Sequence, residues 1–501
     1  MTHFSDSLHE KLVSLYGSEP GTAAYHRLAA TLKAFASQPP QSTTQSSGGV
    51  TERDVVLITY GDSLHEPGNA PLNTLHGFLK RTLSGIISSV HILPFFPYSS
   101  DDGFSVIDYQ QVNPALGDWD DINRLSRDFK LMVDVVINHV SAQSDWFQRF
   151  LAGDPHYEHF FITVDPTTDL SKVVRPRTLP LLTPFTRPQG TVHVWTTFSA
   201  DQIDLNFSHP DVLLRMIDVL LFYVRQGASL IRLDAIAYLW KTPGTTCIHL
   251  PQTHTVVKLF RDVLDRVAPH VLLITETNVP HAENMSYFGS GTDEAQMVYQ
   301  FPLPPLLLHT IATGDATRLS DWAEGIQPIS ERATFFNFTA SHDGIGVRPV
   351  EGILTRGEIE ALVQRATAHG GAVSYKTNSD GSSSPYELNI NYFDALSDPA
   401  ADEPLEVQVQ RFLVSQAIQI AVVGVPGIHI HSLLGSRNWR DGVQQTGHLR
   451  AINREKLLGS EVESALSTPG SLRQQVFDAY RRLILIRTGQ KAFHPNGPQH
   501  V

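Results

Sequence analysis

The sequence contains a single cysteine, Cys247, in 501 residues, which excludes an internal disulfide framework and a metal site built from several cysteines. No apolar run approaches the roughly 18 residues that cross a membrane, and the first residues lack the pattern of a secretion signal. Lys and Arg form no cluster, and the formal net charge is −13. We therefore expect a cytoplasmic protein without a nucleic acid or a membrane as partner.

From about residue 54 onward, short apolar runs that predict strands alternate with amphipathic stretches of helix length, such as 119–129, 256–267 and 406–422. The predicted strands are 55–60, 90–95, 131–137, 230–233, 271–274, 297–301, 333–338 and 427–431. This alternation predicts an α/β protein built as a (β/α)8 TIM barrel.

Two long connections interrupt the predicted barrel, which occupies residues 51–140, 208–343 and 405–490. Residues 141–207 form the first insert and residues 344–404 the second. Inserts of this length usually form the walls of a substrate cleft, so we expect both at the carboxyl face of the barrel. Residues 1–50 are expected to form an N-terminal helical extension and a linker, the linker being the Gln-, Ser- and Pro-rich segment 38–49.

Several of the predicted strands end in ionisable residues that a buried strand does not need. The fourth strand carries Arg232 and leads to Asp234 within an otherwise apolar run. The third strand contains Asp134 and leads to Asn138 and His139. The fifth strand leads to Glu276, and the seventh leads to His342 and Asp343. Because the carboxyl ends of barrel strands meet at one mouth, we expect these side chains to converge there.

Three carboxylates in one cleft can each have a different role in catalysis. A carboxylate beside Arg232 stays ionised as a nucleophile, a second with a raised pKa gives and takes a proton, and a third stabilises positive charge. Glycoside cleavage with retention needs this set, with nucleophile and acid about 5 Å apart. The residues alone leave two alternatives: a structural ion pair, and a metal site, for which Arg232 would be a poor neighbour.

Taken together, these regions resemble the four signature regions of the α-amylase superfamily of retaining α-glycosidases. The segment 91–114, RPR at 175–177, SHDGIGV at 341–347 and RAINRE at 450–455 are similar to the sucrose phosphorylase branch. The N-terminal segment, ITETNVPH at 274–281 and GSRNW at 435–439 are similar to longer relatives acting on sucrose 6-phosphate, glucosylglycerate or glucosylglycerol. The resemblance covers roughly residues 55–485 and implies an α-glucoside phosphorylase that releases glucose 1-phosphate.

The resemblance also implies roles for individual residues. Asp234 would be the nucleophile, Glu276 the general acid/base and Asp343 the transition-state stabiliser. The implied substrate-binding residues are Asp101, Phe104, His139, Phe198, Gln202, Arg232, His342 and Arg450, with Asp101 and Arg450 as the pair that closes the glucose pocket. For phosphate and acceptor it implies Arg177, Asn278, Tyr386 and Glu387. Asn278 and Glu387 stand where sucrose phosphorylases carry His and Gln, which puts fructose recognition in doubt.

The partners implied are a small sugar substrate and inorganic phosphate, with no metal and no organic cofactor, in a monomer or homodimer. Glycerate is the leading expectation for the acceptor, and Arg437 would suit its carboxylate. The alternatives are a sucrose, sucrose 6-phosphate or glucosylglycerol phosphorylase, an α-glucosidase or transglucosidase of the superfamily, and a non-catalytic sugar-binding barrel. Relatives continue into a small β-domain, so residues 491–501 are expected to begin a C-terminal domain that is missing or trimmed.

Overall fold

The computed structural model describes residues 2–37, 49–378 and 380–501. Most of the predicted linker, residues 38–48, lies outside the described residues. The strands are β1 (Val56–Thr59), β2 (Leu64–His65), β3 (Ser89–Ile92), β4 (Lys130–Val136), β5 (His139–Ser141), β6 (Leu182–Arg187), β7 (Gly190–Trp195), β8 (Gln202–Asp204), β9 (Ala228–Asp234), β10 (Leu272–Thr275), β11 (Met297–Tyr299), β12 (Thr334–Asn337), β13 (Ile345–Gly346), β14 (Ala372–Thr377), β15 (Ser383–Asn389), β16 (Val425–His429) and β17 (Leu457–Leu458).

The α-helices are α1 (Thr2–Tyr16), α2 (Ser18–Ala36), α3 (Pro71–Thr82), α4 (Trp119–Asp128), α5 (Asp145–Ala152), α6 (Pro210–Arg225), α7 (Pro251–Val267), α8 (His281–Met285), α9 (Leu303–Thr313), α10 (Thr317–Glu324), α11 (Arg356–Ala368), α12 (Tyr392–Leu396), α13 (Leu405–Ala421), α14 (Ile430–Leu433), α15 (Arg440–Thr446), α16 (Gly459–Ser467) and α17 (Leu472–Thr488). Short 3-10 helices occupy Asp101–Gly103, Ile236–Tyr238, Ser286–Phe288, Arg348–Val350, Leu449–Asn453 and Lys491–Phe493. Within the described ranges, no helix is both long enough and apolar enough to span a membrane.

A closed barrel of parallel strands forms the centre of the fold, in the order β1-β16-β12-β11-β10-β9-β4-β3. Each strand coincides with one of the predicted apolar runs, so the predicted TIM barrel is confirmed. The observed strands end earlier than some of the runs. The run 90–95, for example, leaves the sheet after Ile92 although Leu93 and Phe95 remain fully buried. Hydropathy reports burial, whereas a strand is defined by hydrogen bonds to its neighbours.

The register between β4 and β9 determines where the charged residues of the barrel interior meet. Asp134 is the Cα partner of Arg232, and Val136 is the partner of Asp234. Residues opposite each other on adjacent strands project to the same side of the sheet. Asp134 and Arg232 are both buried, so this pair is part of the barrel interior, one layer below the last residue of β9.

The two long connections form small antiparallel sheets beside the barrel mouth. The first carries the β5–β8 and β6–β7 pairs, and the second carries the sheet β13-β15-β14. Arg175 of the first insert forms a single β-bridge with Thr377 of the second. The inserts therefore contact each other, and a cleft between them has walls from both.

The N-terminal helices α1 and α2 pack against the outer helices of the barrel. Leu8, Leu12, Leu28 and Leu32 are buried in the main core, and Lys11 forms an ion pair of 2.6 Å with Asp262 of α7. This extension therefore shares the core of the barrel.

Substituting Gly427 tests how tightly the barrel is packed. A Cβ atom on Gly427 of β16 would lie 2.3 Å from Cζ of Phe336 on β12, so the ring has to move. We expect Gly427→Ala to lower the melting temperature by about 1–3 °C, because overpacking of this kind costs about 1–3 kcal/mol. Gly357→Ala in α11 is the control, since a Cβ there meets nothing within 4 Å. Equal melting temperatures for both variants would contradict this packing argument.

Candidate active site

The residues at the carboxyl ends of four barrel strands surround one cavity. Asp234 is the last residue of β9, Glu276 follows β10, and Asp343 follows β12 by a short turn. His139 begins β5 just after β4. These four side chains all line the cavity, so the convergence expected from barrel geometry is what the structure shows.

Arg232 lies beneath this cavity and contacts three carboxylates. Its Nη1 donates to Asp134 and, at 2.9 Å, to Oδ1 of Asp234. Its Nη2 lies 3.6 Å from Oε2 of Glu276. Burial opposes the ionisation of Asp134, but Arg232 and His91 hold its pKa at about 2. The guanidinium is therefore anchored by an ionised partner, while Nη1 also contacts Asp234 and Nη2 lies near Glu276.

Asp234 and Glu276 compete for a single proton. Burial raises the pKa of both side chains, and the charge of Glu276 raises the pKa of Asp234 further. The raised pKa of Asp234 differs from the expectation that Arg232 keeps it ionised, because burial and the negative charges of Glu276, Asp134 and Asp343 outweigh Arg232. Arg232 nevertheless donates directly to Asp234 and stays farther from Glu276. The favoured microstate thus has Asp234 ionised and the proton on Glu276.

Asp343 has the opposite electrostatic environment. Burial raises its pKa, but Arg450, Arg454 and Arg232 lower it below the ordinary value overall. Nη1 of Arg450 lies 2.6 Å from Oδ1 of Asp343, and Nη2 of Arg454 lies 3.7 Å away. Asp343 is therefore an ionised carboxylate with its charge partly balanced by arginines.

Neutral polar groups and aromatic rings complete the cavity wall on the side of the first insert. His139 Nε2 and Gln202 Nε2 both donate to the Phe104 carbonyl, at 2.8 and 3.0 Å. The β5–β8 pairing brings Gln202 beside His139. The rings of Phe104 and His342 stack with centroids 4.7 Å apart. Burial lowers the pKa of both histidines, so they offer hydrogen bonds without adding charge.

The cavity brings together all of the predicted site residues except Arg232 and Glu387. Its empty volume, including space open to solvent, is about 590 Å³. It opens into a wider outer cavity of about 1770 Å³ between the inserts. The predicted residues that line the inner cavity are Asp101, Phe104, His139, Arg177, Phe198, Gln202, Asp234, Glu276, Asn278, His342, Asp343, Tyr386 and Arg450.

Glu387 does not line the cavity, which corrects its expected place beside phosphate or acceptor. Neighbouring residues of a strand point to opposite faces, so Tyr386 of β15 faces the cavity while Glu387 faces away from it. Arg450 donates to both Glu387 oxygens, at 3.0 and 2.7 Å, and the Gly344 N–H donates at 2.7 Å. Glu387 therefore holds Arg450 in place from behind.

The contacts of Arg437 correct a further expectation. Arg437 donates to Asp394 at 2.8 Å and to Gln408 at 2.6 Å, and it lies outside the cavity wall, so it is not placed to receive an acceptor carboxylate. Asp101 and Arg450, the predicted closing pair, both line the cavity. Asp101 lies 3.5 Å from Arg454, while Arg450 contacts Asp343.

Sequence reasoning missed Arg454 and Tyr238. Arg454 lies in the RAINRE motif, contacts Asp102 at 2.7 Å and donates to the His342 carbonyl at 2.8 Å. Tyr238 is the last residue of the 3-10 helix that follows β9, and its side chain lines the cavity. A buried arginine in a polar motif was an available signal for Arg454, whereas Tyr238 cannot be told from a core aromatic by pattern.

Backbone strain is concentrated around the same cavity. Asp101, Asp102 and Ala235 have positive φ angles of 51°, 48° and 52°, which residues with a Cβ rarely adopt. The Ala235 N–H donates to Oε2 of Glu276 at 3.2 Å. The strained turn after β9 therefore links the backbone beside Asp234 to the carboxylate of Glu276.

Among the residues that the structure describes, no group of three or more His, Cys, Asp and Glu side chains is arranged to hold a metal ion. The carboxylates at the mouth are instead interleaved with Arg232, Arg450 and Arg454.

Comparisons with known proteins agree with this geometry. The sequence profile of the alpha-amylase catalytic domain matches residues 83–343. A glucosylglycerate phosphorylase from Allomeiothermus silvanus is 54% identical over 99% of this chain and 88% of its own length. A sucrose phosphorylase from Agrobacterium vitis is 33% identical over 83% of this chain and 85% of its own. The crystal structure of sucrose 6F-phosphate phosphorylase from Thermoanaerobacter thermosaccharolyticum has a TM-score of 0.77 and 27% identity, covering 89% of each chain.

The Arg232–Asp134 pair is expected to be a major source of stability. Asp134→Ala leaves the buried guanidinium with less compensation, and breaking a buried pair in this way costs about 3–5 kcal/mol. Asp128→Ala removes an exposed pair with Lys80 and should cost at most about 1 kcal/mol. Thermal unfolding of both variants measures the difference. Similar melting temperatures would show that Arg232 does not depend on Asp134.

Proposed function

The chain is a glucoside phosphorylase of the alpha-amylase family, and on this premise we propose that it cleaves an α-glucoside of glycerate by double displacement to give α-glucose 1-phosphate. The observation that carries the mechanism is the pair Asp234 and Glu276, which share one guanidinium and one proton at the cavity wall. The similarity to a glucosylglycerate phosphorylase over nearly the whole chain supports glycerate as the acceptor. The substrates are accordingly a small glucoside and inorganic phosphate.

In the first displacement, Asp234 attacks the anomeric carbon while Glu276 gives its proton to the departing glycerate oxygen. A glucosyl–Asp234 ester forms and the glycosidic bond breaks. The direct contact from Arg232 favours the ionised form of Asp234 before attack. Asp343, ionised by its arginine neighbours, stabilises the positive charge that develops on the sugar ring.

In the second displacement, phosphate attacks the same carbon and Glu276 accepts a proton from it. The glucosyl–Asp234 ester bond breaks, so Asp234 leaves as a carboxylate and α-glucose 1-phosphate is released. Phosphate is an anion entering a cavity with several carboxylates, so it needs cations of its own. Arg177 is the candidate, because it lines the cavity and forms no ion pair in the part of the chain that the structure describes. Its guanidinium lies 5.4 Å from the ring centroid of Tyr386, which places the two implied phosphate ligands side by side.

Arg175, the other arginine of the RPR motif, does not line the cavity. Its guanidinium donates to the Leu179 carbonyl, and its backbone bridges to Thr377 of the second insert. We assign Arg175 a structural role that holds the loop carrying Arg177 against the second insert.

Synthesis from α-glucose 1-phosphate tests the acceptor. The protein is incubated with α-glucose 1-phosphate and, separately, D-glycerate, glycerol, fructose or fructose 6-phosphate, and phosphate release is measured. We expect rapid release with D-glycerate only. Release with another acceptor alone would keep the phosphorylase and replace its substrate. If none of these acceptors gives more phosphate release than a control without acceptor, the proposed function is contradicted.

The role of Glu276 predicts a difference between leaving groups. Glu276→Gln should retain far more activity on α-glucosyl fluoride, which leaves without protonation, than on glucosylglycerate. In the parent enzyme, kcat/KM for glucosylglycerate should fall at alkaline pH as Glu276 loses its proton, and burial places this limb above the range of an ordinary Glu. The variant should lack that limb when it acts on the fluoride. Equal losses on both donors would remove Glu276 from the acid role.

A further inference from the structure

Arg348 is a buried arginine without a charged partner. It begins a 3-10 helix in the second insert, just after β13, and is 7% exposed. Its Nε and Nη1 atoms have no hydrogen-bond partner, and none of the described carboxylates forms an ion pair with it. Every other arginine around the cavity except Arg177 is paired. An unpaired buried cation is costly to stability, so a compensating group is expected from outside the chain.

Arg348 lies behind Tyr238, which lines the cavity. The Tyr238 hydroxyl is itself buried and lacks a partner in hydrogen-bonding geometry. Burial raises the pKa of Tyr238, while the nearby charges of Arg348 and Arg177 oppose that rise. The phenol is therefore a neutral hydrogen-bonding group at the cavity wall, close to two cations.

The hydrogen-bonding groups of these two side chains determine which of them can donate to the other. A guanidinium has donors and no acceptor, whereas a phenol has one donor and can accept. A hydrogen bond from Arg348 to the Tyr238 oxygen would turn the phenol proton away from Arg348. Because Tyr238 lines the cavity, its O–H would then be a donor into the cavity.

The Tyr238 hydroxyl lies at the end of the cavity from which the leaving group departs in the proposed reaction. The charge of Glu276 acts on both Tyr238 and Tyr386, which places the two phenols close to the proposed acid/base. Asn278 lines the same wall and packs on Gly346, two residues before Arg348. The glucosyl end differs, because its arginines already have partners in Asp343, Glu387 and Asp102.

We propose that Arg348 is a positioning residue that makes this end of the cavity selective for anions, by holding the Tyr238 hydroxyl as a donor toward the carboxylate of the acceptor or, after it leaves, toward phosphate. The acceptor part of this inference rests on the proposed function. Arg348 adds positive potential behind the donor, and the arriving anion supplies the charge that Arg348 lacks within the chain.

Competition between an anion and its neutral counterpart tests this inference. The first readout is the ratio of kcat/KM for D-glycerate to that for glycerol, which lacks the carboxylate, with α-glucose 1-phosphate as donor. The second is the partition of the glucosyl-enzyme, formed from α-glucosyl fluoride, between phosphate and water. The variants are Arg348→Met, Arg348→Lys, Tyr238→Phe and the double variant with Met and Phe. Arg356→Met is the control, since Arg356 is exposed on the adjacent helix.

We expect Arg348→Met and Tyr238→Phe each to lower both ratios about tenfold or more, because a hydrogen bond to a charged group contributes at least that factor. The double variant should lower the two ratios no further than each single variant does, since both substitutions act through the same donor. Arg348→Lys should recover part of the loss, and Arg356→Met should match the parent. The loss should fall more on KM for the anion than on kcat.

Unchanged ratios in Arg348→Met, or independent effects that multiply in the double variant, would overturn the inference. If Arg348→Met does not fold, unchanged ratios in both Tyr238→Phe and Arg348→Lys would overturn it as well. If the parent enzyme does not use D-glycerate, the proposed acceptor is wrong, and the phosphate-to-water partition still decides the role of Arg348. The two failures are thereby distinguishable.

Discussion

The site depends on one buried guanidinium. Arg232 contacts Asp134, Asp234 and Glu276 from within the barrel, and the register of β4 against β9 places it there. A barrel interior is ordinarily filled by branched apolar side chains, so a buried charge needs nearby countercharges. Asp134 is ionised and supplies that countercharge. Asp234 and Glu276 can then differ in protonation while both remain close to Arg232. The proposed separation of nucleophile and acid follows from this arrangement.

The charges around the cavity are distributed unequally between its two ends. At the glucosyl end, Arg450 and Arg454 are paired with Asp343, Glu387 and Asp102. At the opposite end, Arg177 and Arg348 have no carboxylate partner in the described chain. A neutral sugar ring needs hydrogen bonds and no net charge, whereas phosphate and a carboxylate acceptor need unpaired cations. The asymmetry therefore fits a donor that is neutral at one end and anionic at the other, and it is the same property that allows phosphate to replace the acceptor.

The second insert supplies part of the proposed acceptor end. Tyr386 comes from β15, and Arg348 follows β13 of the same sheet. Strand alternation sends Tyr386 into the cavity and its neighbour Glu387 behind Arg450, so a single strand both lines this end and holds an arginine of the opposite end. The β-bridge between Arg175 and Thr377 joins this sheet to the loop that carries Arg177. The two inserts are thus in contact beside the cavity.

Local pattern in the sequence was enough to predict the eight barrel strands, their carboxyl-end carboxylates and the convergence of those carboxylates on one mouth, because hydrophobic periodicity and parallel-barrel geometry leave few alternatives. Motif resemblance then indicated the residues of the cavity wall. Neither of them could predict which residues pair: that Asp134 anchors Arg232, that Glu387 faces Arg450, that Arg437 is held by Asp394, and that Arg348 has no charged partner among the described residues. Each of these depends on which way a side chain points and on what packs against it from a distant part of the chain. Only the tertiary structure decides this, because the pairing of buried charges is a property of three-dimensional proximity and not of local sequence.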